Sequence, residues 1–172
     1  MIETENLKLV ACTGMHLQTI KRSQGNVTSM MGADTVEGWL TSVESVEQAM
    51  ALLEASSQNL RWGMHIVLHK ADNKIIGTCG YNGQADDNGV VDIGYALAPS
   101  YRNQGIEREI AKGLMDNALE WAVVEKIDAY TLARSRESGK IFEELGFTRL
   151  KKEDRLIHWR LTRDDYEQAR AD

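Results

Sequence analysis

Cysteine and proline are scarce in this chain of 172 residues, which has two cysteines and one proline. Cys12 and Cys79 are too few and too isolated for a disulfide framework or a CxxC metal motif, so we expect both to be reduced. No proline-rich or low-complexity stretch marks a linker, and no repeat of solenoid period occurs. The length suits one hydrophobic core, and the sequence therefore predicts a single domain over residues 1–172.

Long apolar runs are lacking as well. No segment approaches the roughly 18 consecutive apolar residues that a membrane-spanning helix requires, and residues 1–5 have no apolar signal core. The net charge is −6, and clustered Lys and Arg residues are missing, which argues against a general binder of the nucleic acid backbone. We therefore expect a cytoplasmic protein that contacts neither a membrane nor nucleic acid.

Several common site motifs do not occur. Neither GxxxxGK[ST] nor GxGxxG stands at a strand-to-helix junction, which argues against a P-loop or dinucleotide-binding protein. No group of His, Cys, Asp and Glu has metal-ligand spacing, so no metal is expected.

The pattern of apolar residues predicts a mixture of strands and helices. Alternation predicts strands at residues 6–12, 62–69, 75–82, 90–98, 129–133, 147–150 and 157–161. Three- and four-residue spacing predicts helices at 106–122 and 138–145 and a mostly helical region at 13–60. The predicted fold class is therefore α/β, in its α+β form.

The turn from Arg102 to Gly105 is the most informative stretch, since it joins the strand at 90–98 to the helix that begins at Ile106. The first amides of a helix have no internal partners and lie at the positive end of the helix dipole, so they can bind a pyrophosphate. Gly105 lets the backbone approach an anion closely, and Arg102 can add a charge-assisted contact. An ordinary strand-to-helix turn with one glycine is the alternative.

Four motifs in order resemble the Gcn5-related N-acetyltransferase (GNAT) superfamily. Tyr101-Arg102-x-x-Gly105 between a strand and an apolar helix resembles its acetyl-CoA signature. The segments 92–95, 74–77 and 138–147 resemble the acidic-Ile-Gly-Tyr strand, the Lys-x-Ile-Gly hairpin and the late helix that ends in Leu-Gly-Phe. The opening residues 3–9 resemble the ribosomal-protein alanine N-acetyltransferase (RimJ/RimL-like) branch.

The resemblance implies the GNAT fold, in which a mixed, mostly antiparallel sheet is flanked by helices and one strand, here residues 90–98, is splayed. It implies acetyl-CoA as co-substrate and direct transfer of its acetyl group to a primary amine, either a protein N-terminus or a small molecule. The residues that it assigns to the cofactor are Ala96, Leu97 and Ala98 for the pantetheine arm, Arg102, Asn103, Gln104, Gly105, Ile106 and Glu107 for the pyrophosphate, and Ser135 where the family often has asparagine.

The resemblance also suggests two catalytic residues. Ser138 matches the serine that protonates the leaving thiolate in the RimJ/RimL-like branch, whereas the usual family tyrosine is replaced by Phe142. An N-cap of the 139–145 helix is the alternative role for Ser138. Asp92 is the candidate general base, with a purely structural carboxylate as its alternative, and His65 is a second candidate base.

Two positions depart from the family pattern. Glu107 replaces a small residue, and its carboxylate would repel the phosphates unless it turns to solvent or toward Arg102 or Arg108. Ser135 offers fewer hydrogen-bonding groups than asparagine. These departures motivate the alternative function, a non-catalytic GNAT-fold module that binds a ligand or a partner.

Less specific features concern the acceptor and the assembly. The acceptor pocket is expected from residues 15–40 and the loop at 81–83, and a homodimer is possible. The side chains suggested for that pocket are Met30, Met31, Trp39 and Trp62, with Glu37, Asp86 and Asp87 to attract an ammonium group.

Overall fold

The seven strands predicted from the sequence and two short strands that were not predicted, β1 and β3, form one nine-stranded sheet in the computed structural model, which describes residues 1–172. The strands are β1 Ile2–Glu3, β2 Leu7–Ala11, β3 Asp34–Thr35, β4 Met64–His69, β5 Lys74–Tyr81, β6 Val90–Leu97, β7 Lys126–Leu132, β8 Thr148–Glu153 and β9 Leu156–Thr162. Their order is β1-β2-β4-β5-β6-β7-β9-β8, and β3 pairs with β5 in addition. All neighbours are antiparallel except β6–β7 and β3–β5, so the mixed, mostly antiparallel sheet is confirmed.

Six helices cover the two faces of this sheet. They are α1 Gly14–Arg22, α2 Val27–Met31, α3 Val43–Ala55, α4 Ile106–Leu119, α5 Arg136–Glu144 and α6 Arg163–Ala171. Neighbouring residues of β4 show the two faces. Ile66 belongs to the core cluster of α1–α3, whereas Val67 belongs to the larger cluster built around α4 and α5. No helix in the structure combines the length and apolar character that a membrane crossing requires.

Strand β6 is shared between the two halves of the sheet, and this determines where the site lies. Its first residues, Val90 to Asp92, pair in parallel with Lys126 to Asp128 of β7. From Ile93 to Leu97 it pairs only with β5, in the antiparallel sense. The two halves therefore diverge immediately after Asp92, and β6 is the splayed strand that the sequence resemblance implies.

Two helices differ from the prediction. Helix α5 begins at Arg136 rather than at Ser138, because its first residues are polar and carry no apolar periodicity. Helix α6 was not predicted, since its nine residues include no fully buried side chain. It is held instead by polar contacts: Tyr166 donates to Asp116 of α4, and Arg163 donates to carbonyl oxygens at the C-terminal end of α4, including Leu119 and Val124.

Candidate active site

The divergence of β6 and β7 leaves two free strand edges that face each other across a cleft. On β6, the amide of Ala98 donates to Ile76 at 2.8 Å and the carbonyl of Asp92 accepts from Asn82 at 3.3 Å. The backbone N–H and C=O groups of successive residues in a strand point to opposite sides. Those of Ile93, Tyr95 and Leu97 therefore point away from β5 and into the cleft. Of the three residues expected along the pantetheine arm, only Leu97 therefore faces the cleft with its backbone, whereas Ala96 and Ala98 face β5.

The turn between β6 and α4 ends in an open helix N-terminus. Gly105 occupies the N-cap position with a φ of +83°, in the left-handed region, and no side chain caps the helix there. A Cβ added to Gly105 would have no atom within 4 Å, so the space beside Gly105 is open. Ile106 is buried and anchors the first turn of α4 on the core. The turn can thus receive an anion on its backbone amides.

Three side chains of the turn are already engaged within the protein. Arg102 Nε donates to the carbonyl of Leu97 at 3.0 Å, which ties the turn to the end of the cleft and leaves its terminal nitrogens for a ligand. Gln104 Nε2 donates to the carbonyl of Ser100. Glu107 Oε1 accepts a hydrogen bond from the Asn103 amide at 3.0 Å.

The contact of Glu107 corrects one expectation. Its carboxylate forms no ion pair with Arg102 or Arg108. Arg102 Nε donates to the carbonyl of Leu97 instead, and Arg108 lies 4.0 Å from Glu144. The Glu107 carboxylate folds back over the turn, as an acidic residue at the start of a helix does when it satisfies a free backbone amide. A carboxylate oxygen of the protein therefore already accepts from one backbone amide of the turn, that of Asn103.

The two serines at the start of α5 lie side by side. Ser135 Oγ and Ser138 Oγ are 2.8 Å apart, and either can donate. Ser135 occupies the N-cap position, although its side chain makes no capping bond, and Ser138 lies in the first turn of the helix. The alternative role of Ser138 as an N-cap is therefore wrong. Both residues follow the C-terminal end of β7, at the mouth of the cleft.

An aromatic pair lies beside the cleft. Phe142 is buried, and its ring stacks on that of Tyr95 with 6.3 Å between the centroids. Burial, together with the charge of Glu107, raises the pKa of Tyr95 to about 12. The position of the family tyrosine thus carries a core phenylalanine, and the nearby phenol of Tyr95 stays protonated at neutral pH.

A cavity of about 350 Å³ lies on the opposite face of β6, between this strand and α3. Its polar lining is mostly neutral, and Asp92 is the one ionisable carboxyl group in it. Its polar side chains include those of Thr41, Ser45, Gln48, Thr78, Asn82 and Asp92. This pocket is formed by α3 and its N-terminal flank rather than by residues 15–40, while Trp39 and Trp62 are core residues.

Asp92 differs from the other candidate base. Burial and the nearby charge of Asp128 raise the pKa of Asp92 above its ordinary value. His65 is buried outside this pocket, its Nδ1 lies 3.0 Å from the carbonyl of Gly63, and burial lowers its pKa to about 4. His65 is therefore a weak base that lies away from the pocket. Asp92 lines the pocket, and its pKa is raised toward neutral pH, so it is the better candidate for the general base.

Comparison with known proteins identifies the family. Residues 15–148 match the acetyltransferase (GNAT) domain family. The chain belongs to the GNAT family. It is 27% identical over 161 residues to the uncharacterized N-acetyltransferase YjdG of Bacillus subtilis, an alignment that covers 92% of this chain and 96% of YjdG.

Solved GNAT structures share the fold. RimL, a ribosomal L7/L12 alpha-N-protein acetyltransferase solved with coenzyme A, superposes with a TM-score of 0.67 at 16% identity and covers 94% of this chain and 97% of its own. A spermidine N-acetyltransferase from Vibrio cholerae, solved with CoA and spermine, has a TM-score of 0.64 at 16% identity and covers 94% and 98%. GNAT proteins of this fold bind acetyl-CoA or CoA as co-substrate, as the resemblance implied.

Sequence analysis missed three residues of this GNAT site, namely Asp128, His158 and Arg160. Arg160 donates two hydrogen bonds to Asp128, at 2.7 and 2.8 Å, and His158 Nε2 lies 2.8 Å from the same carboxylate. Strands β7 and β9 both alternate polar and apolar residues, a signal of one polar sheet face. That these strands are neighbours, however, is visible only in the fold.

Proposed function

We propose that this GNAT protein transfers an acetyl group from acetyl-CoA to a primary amine by direct attack of the amine on the thioester. The observation that supports this best is the position of Asp92, immediately before the cleft opens. From there its carboxylate lines the acceptor pocket on one face of β6, while the free edge of the same strand faces the cofactor side. The amine and the thioester would meet at Gly94, an exposed glycine that leaves the passage open.

The turn and the free edge would hold the cofactor. The first amides of α4, with the terminal nitrogens of Arg102, face the position of the pyrophosphate, and the backbone groups of Tyr95 and Leu97 would pair with the pantetheine arm as an added strand does. Acetyl-CoA supplies the activated acetyl group, and the C–S bond breaks as the new C–N bond forms. The chain would therefore contribute to this step first by holding acetyl-CoA in position for the attack.

Two proton transfers complete the proposed reaction. Asp92, directly or through a water molecule, would take a proton from the attacking amine. Ser138 would donate a proton to the departing sulfur, and the adjacent hydroxyl of Ser135 would replace it. A covalent cysteine intermediate is disfavoured, because Cys12 and Cys79 are buried and burial raises the pKa of both thiols, that of Cys12 to about 12.

An acetyl-CoA-dependent thiol-release assay tests the proposal. The amine panel should contain peptides with free N-termini, spermidine and small monoamines, since structural neighbours act on both proteins and spermidine. We expect turnover with at least one class and a loss of roughly 100-fold in kcat for Asp92→Asn and Ser138→Ala. Asp87→Asn is the matched control, because Asp87 is exposed in the loop before β6 and, contrary to the expectation from the sequence, does not line the pocket. Full activity of both variants would refute the assigned roles.

A non-catalytic GNAT-fold module is the second candidate function, and the hydrogen bond between Glu107 and the Asn103 amide favours it. In that case the carboxylate would block the turn. Calorimetry with acetyl-CoA separates the two candidates, because the enzyme must bind the cofactor, whereas the module would bind it only after Glu107→Ala. The single-domain organisation, the cytoplasmic location and the possible homodimer stay predictions.

A further inference from the structure

Two aspartates face each other at the point where the sheet divides. Asp92 of β6 and Asp128 of β7 are the last residues paired between these strands. Paired residues of neighbouring parallel strands point to the same face, and the strands are about 4.8 Å apart. The two carboxylates therefore stand side by side at the vertex of the cleft, in a place where like charges disfavour each other.

The surroundings of the two carboxylates are unequal. Asp128 is 4% exposed and receives both hydrogen bonds from Arg160, with His158 Nε2 at 2.8 Å from its second oxygen. The ring of Tyr130 stacks on that of His158 with 4.7 Å between the centroids and covers it. Asp92 accepts no side-chain hydrogen bond, is half-buried, and opens into the acceptor pocket.

The unequal surroundings shift the pKa values of the two carboxyl groups in opposite directions. For Asp128, burial alone would raise the pKa, but the contacts with Arg160 and His158 outweigh it and lower the pKa. Asp92 keeps the opposite shift, since burial and the charge of Asp128 raise its pKa. The other charged groups that act on Asp92 are Asp86, His158 and Arg160, and the side chains of α3 that line the pocket are neutral.

We propose that Asp128, held by two hydrogen bonds from Arg160 and lying beside His158, is a positioning residue that keeps a permanent negative charge beside Asp92 and so makes Asp92 the proton acceptor of the pair. This inference depends on the proposed function, because it assumes that Asp92 takes the proton of the acceptor amine. Asp128 itself does not reach the pocket, and the Arg160 guanidinium donates to both of its oxygens. Its effect on the reaction is therefore electrostatic.

Two variants that change the charge near Asp92 in opposite directions test the proposal through the pH dependence of kcat/KM. Asp128→Asn removes the neighbouring negative charge, so the acidic limb of kcat/KM should move to lower pH and the ratio of activity within that limb to activity at pH 8 should rise. Arg160→Gln leaves the charge of Asp128 uncompensated, so the limb should move to higher pH and the ratio should fall. Arg155→Gln removes an exposed positive charge from the β8–β9 turn and should leave the limb in place.

A carboxyl carbon NMR titration of Asp92 in the same variants, without any substrate, provides a readout that does not depend on turnover. Opposite movements of the Asp92 titration in Asp128→Asn and Arg160→Gln support the proposal. The proposal fails if the titration stays fixed, or moves in one direction in both variants. If Asp128→Asn does not fold, Arg160→Gln must still raise the Asp92 titration, and a fixed titration refutes the proposal. If the titration moves while the kinetic limb does not, the charge relation stands and the base role of Asp92 fails.

Discussion

Replacing Glu107 should strengthen the binding of acetyl-CoA. In the wild type, the Glu107 carboxylate accepts a hydrogen bond from the Asn103 amide in the turn that would hold the pyrophosphate. A ligand phosphate must displace this bond and then lie beside a negative charge. Glu107→Ala removes both obstacles, whereas Glu107→Gln removes the charge and keeps an oxygen that can accept from Asn103.

The expected gain in binding free energy is the sum of two contributions. Two unit charges 4 Å apart interact by about 1 kcal/mol in water and about 4 kcal/mol at an effective dielectric constant of 20. Exchange of the hydrogen bond contributes about 1 kcal/mol. Glu107 is partly exposed, so the water value applies better, and the sum of about 2 kcal/mol corresponds to roughly 30-fold tighter binding in Glu107→Ala. Glu107→Gln should gain about fivefold, from the charge alone.

Isothermal titration calorimetry with acetyl-CoA measures these differences. Glu44→Ala is a suitable control, because Glu44 is also an acidic residue in the first turn of a helix, but it accepts from Ser42 on α3. Both alanine variants should lose a little stability through the helix dipole, and only the Glu107 variant should gain affinity. Equal or weaker binding in both Glu107 variants would show that the carboxylate swings away at no cost, and the reasoning would be wrong.

Three further predictions concern the turn and its support. Gly105→Ala should cost about 1–2 kcal/mol because of its positive φ, with no steric contact, and should weaken acetyl-CoA binding, whereas Gly14→Ala in open space at the start of α1 should be neutral in thermal melts. Arg102→Met should weaken acetyl-CoA binding about tenfold in calorimetry by removing a charge-assisted contact, and Arg22→Met at the end of α1 should not. Arg163→Ala should lower the free energy of unfolding by about 1.5–3 kcal/mol in urea titrations, because its guanidinium donates to carbonyls at the end of α4; Arg155→Ala should change little.

The sequence predicts the parts of this protein that depend on local patterns. Helix α4 was predicted from its apolar stripe, and strands β4 and β5 from the apolar residues at 62–69 and 75–82. The splayed strand and the turn at Gly105 followed from the ordered motifs. In each case the residues that decide the structure lie within about 15 positions of one another, so their spacing is visible in the chain.

The rest of the site depends on contacts between distant segments. Asp128 and Arg160 are 32 positions apart and meet because β7 and β9 pair in one register. The side-chain direction of Glu107 depends on the left-handed backbone of Asn103, at φ +60°, which aims its amide at the first turn of α4. Helix α6 has no apolar stripe, since polar contacts hold it. The contacts themselves, between segments far apart in the chain, leave no local signal in the sequence.

We expect the ionised carboxylate of Asp92 to lower the stability of the folded protein. Its pKa in the folded state is raised, so ionised Asp92 destabilises the fold at pH values above that pKa, and the penalty disappears as the pH falls toward the unfolded value near 3.9. Asp92→Asn should therefore raise the melting temperature at pH 8 by about 1–3 °C, since a half-buried, partly screened charge corresponds to less than about 1 kcal/mol. The difference should vanish near pH 4, and Asp87→Asn should show no such dependence. A variant that is less stable at pH 8 would mean that the carboxylate holds the divergence of β6 and β7 together, which would favour a structural role over that of a base.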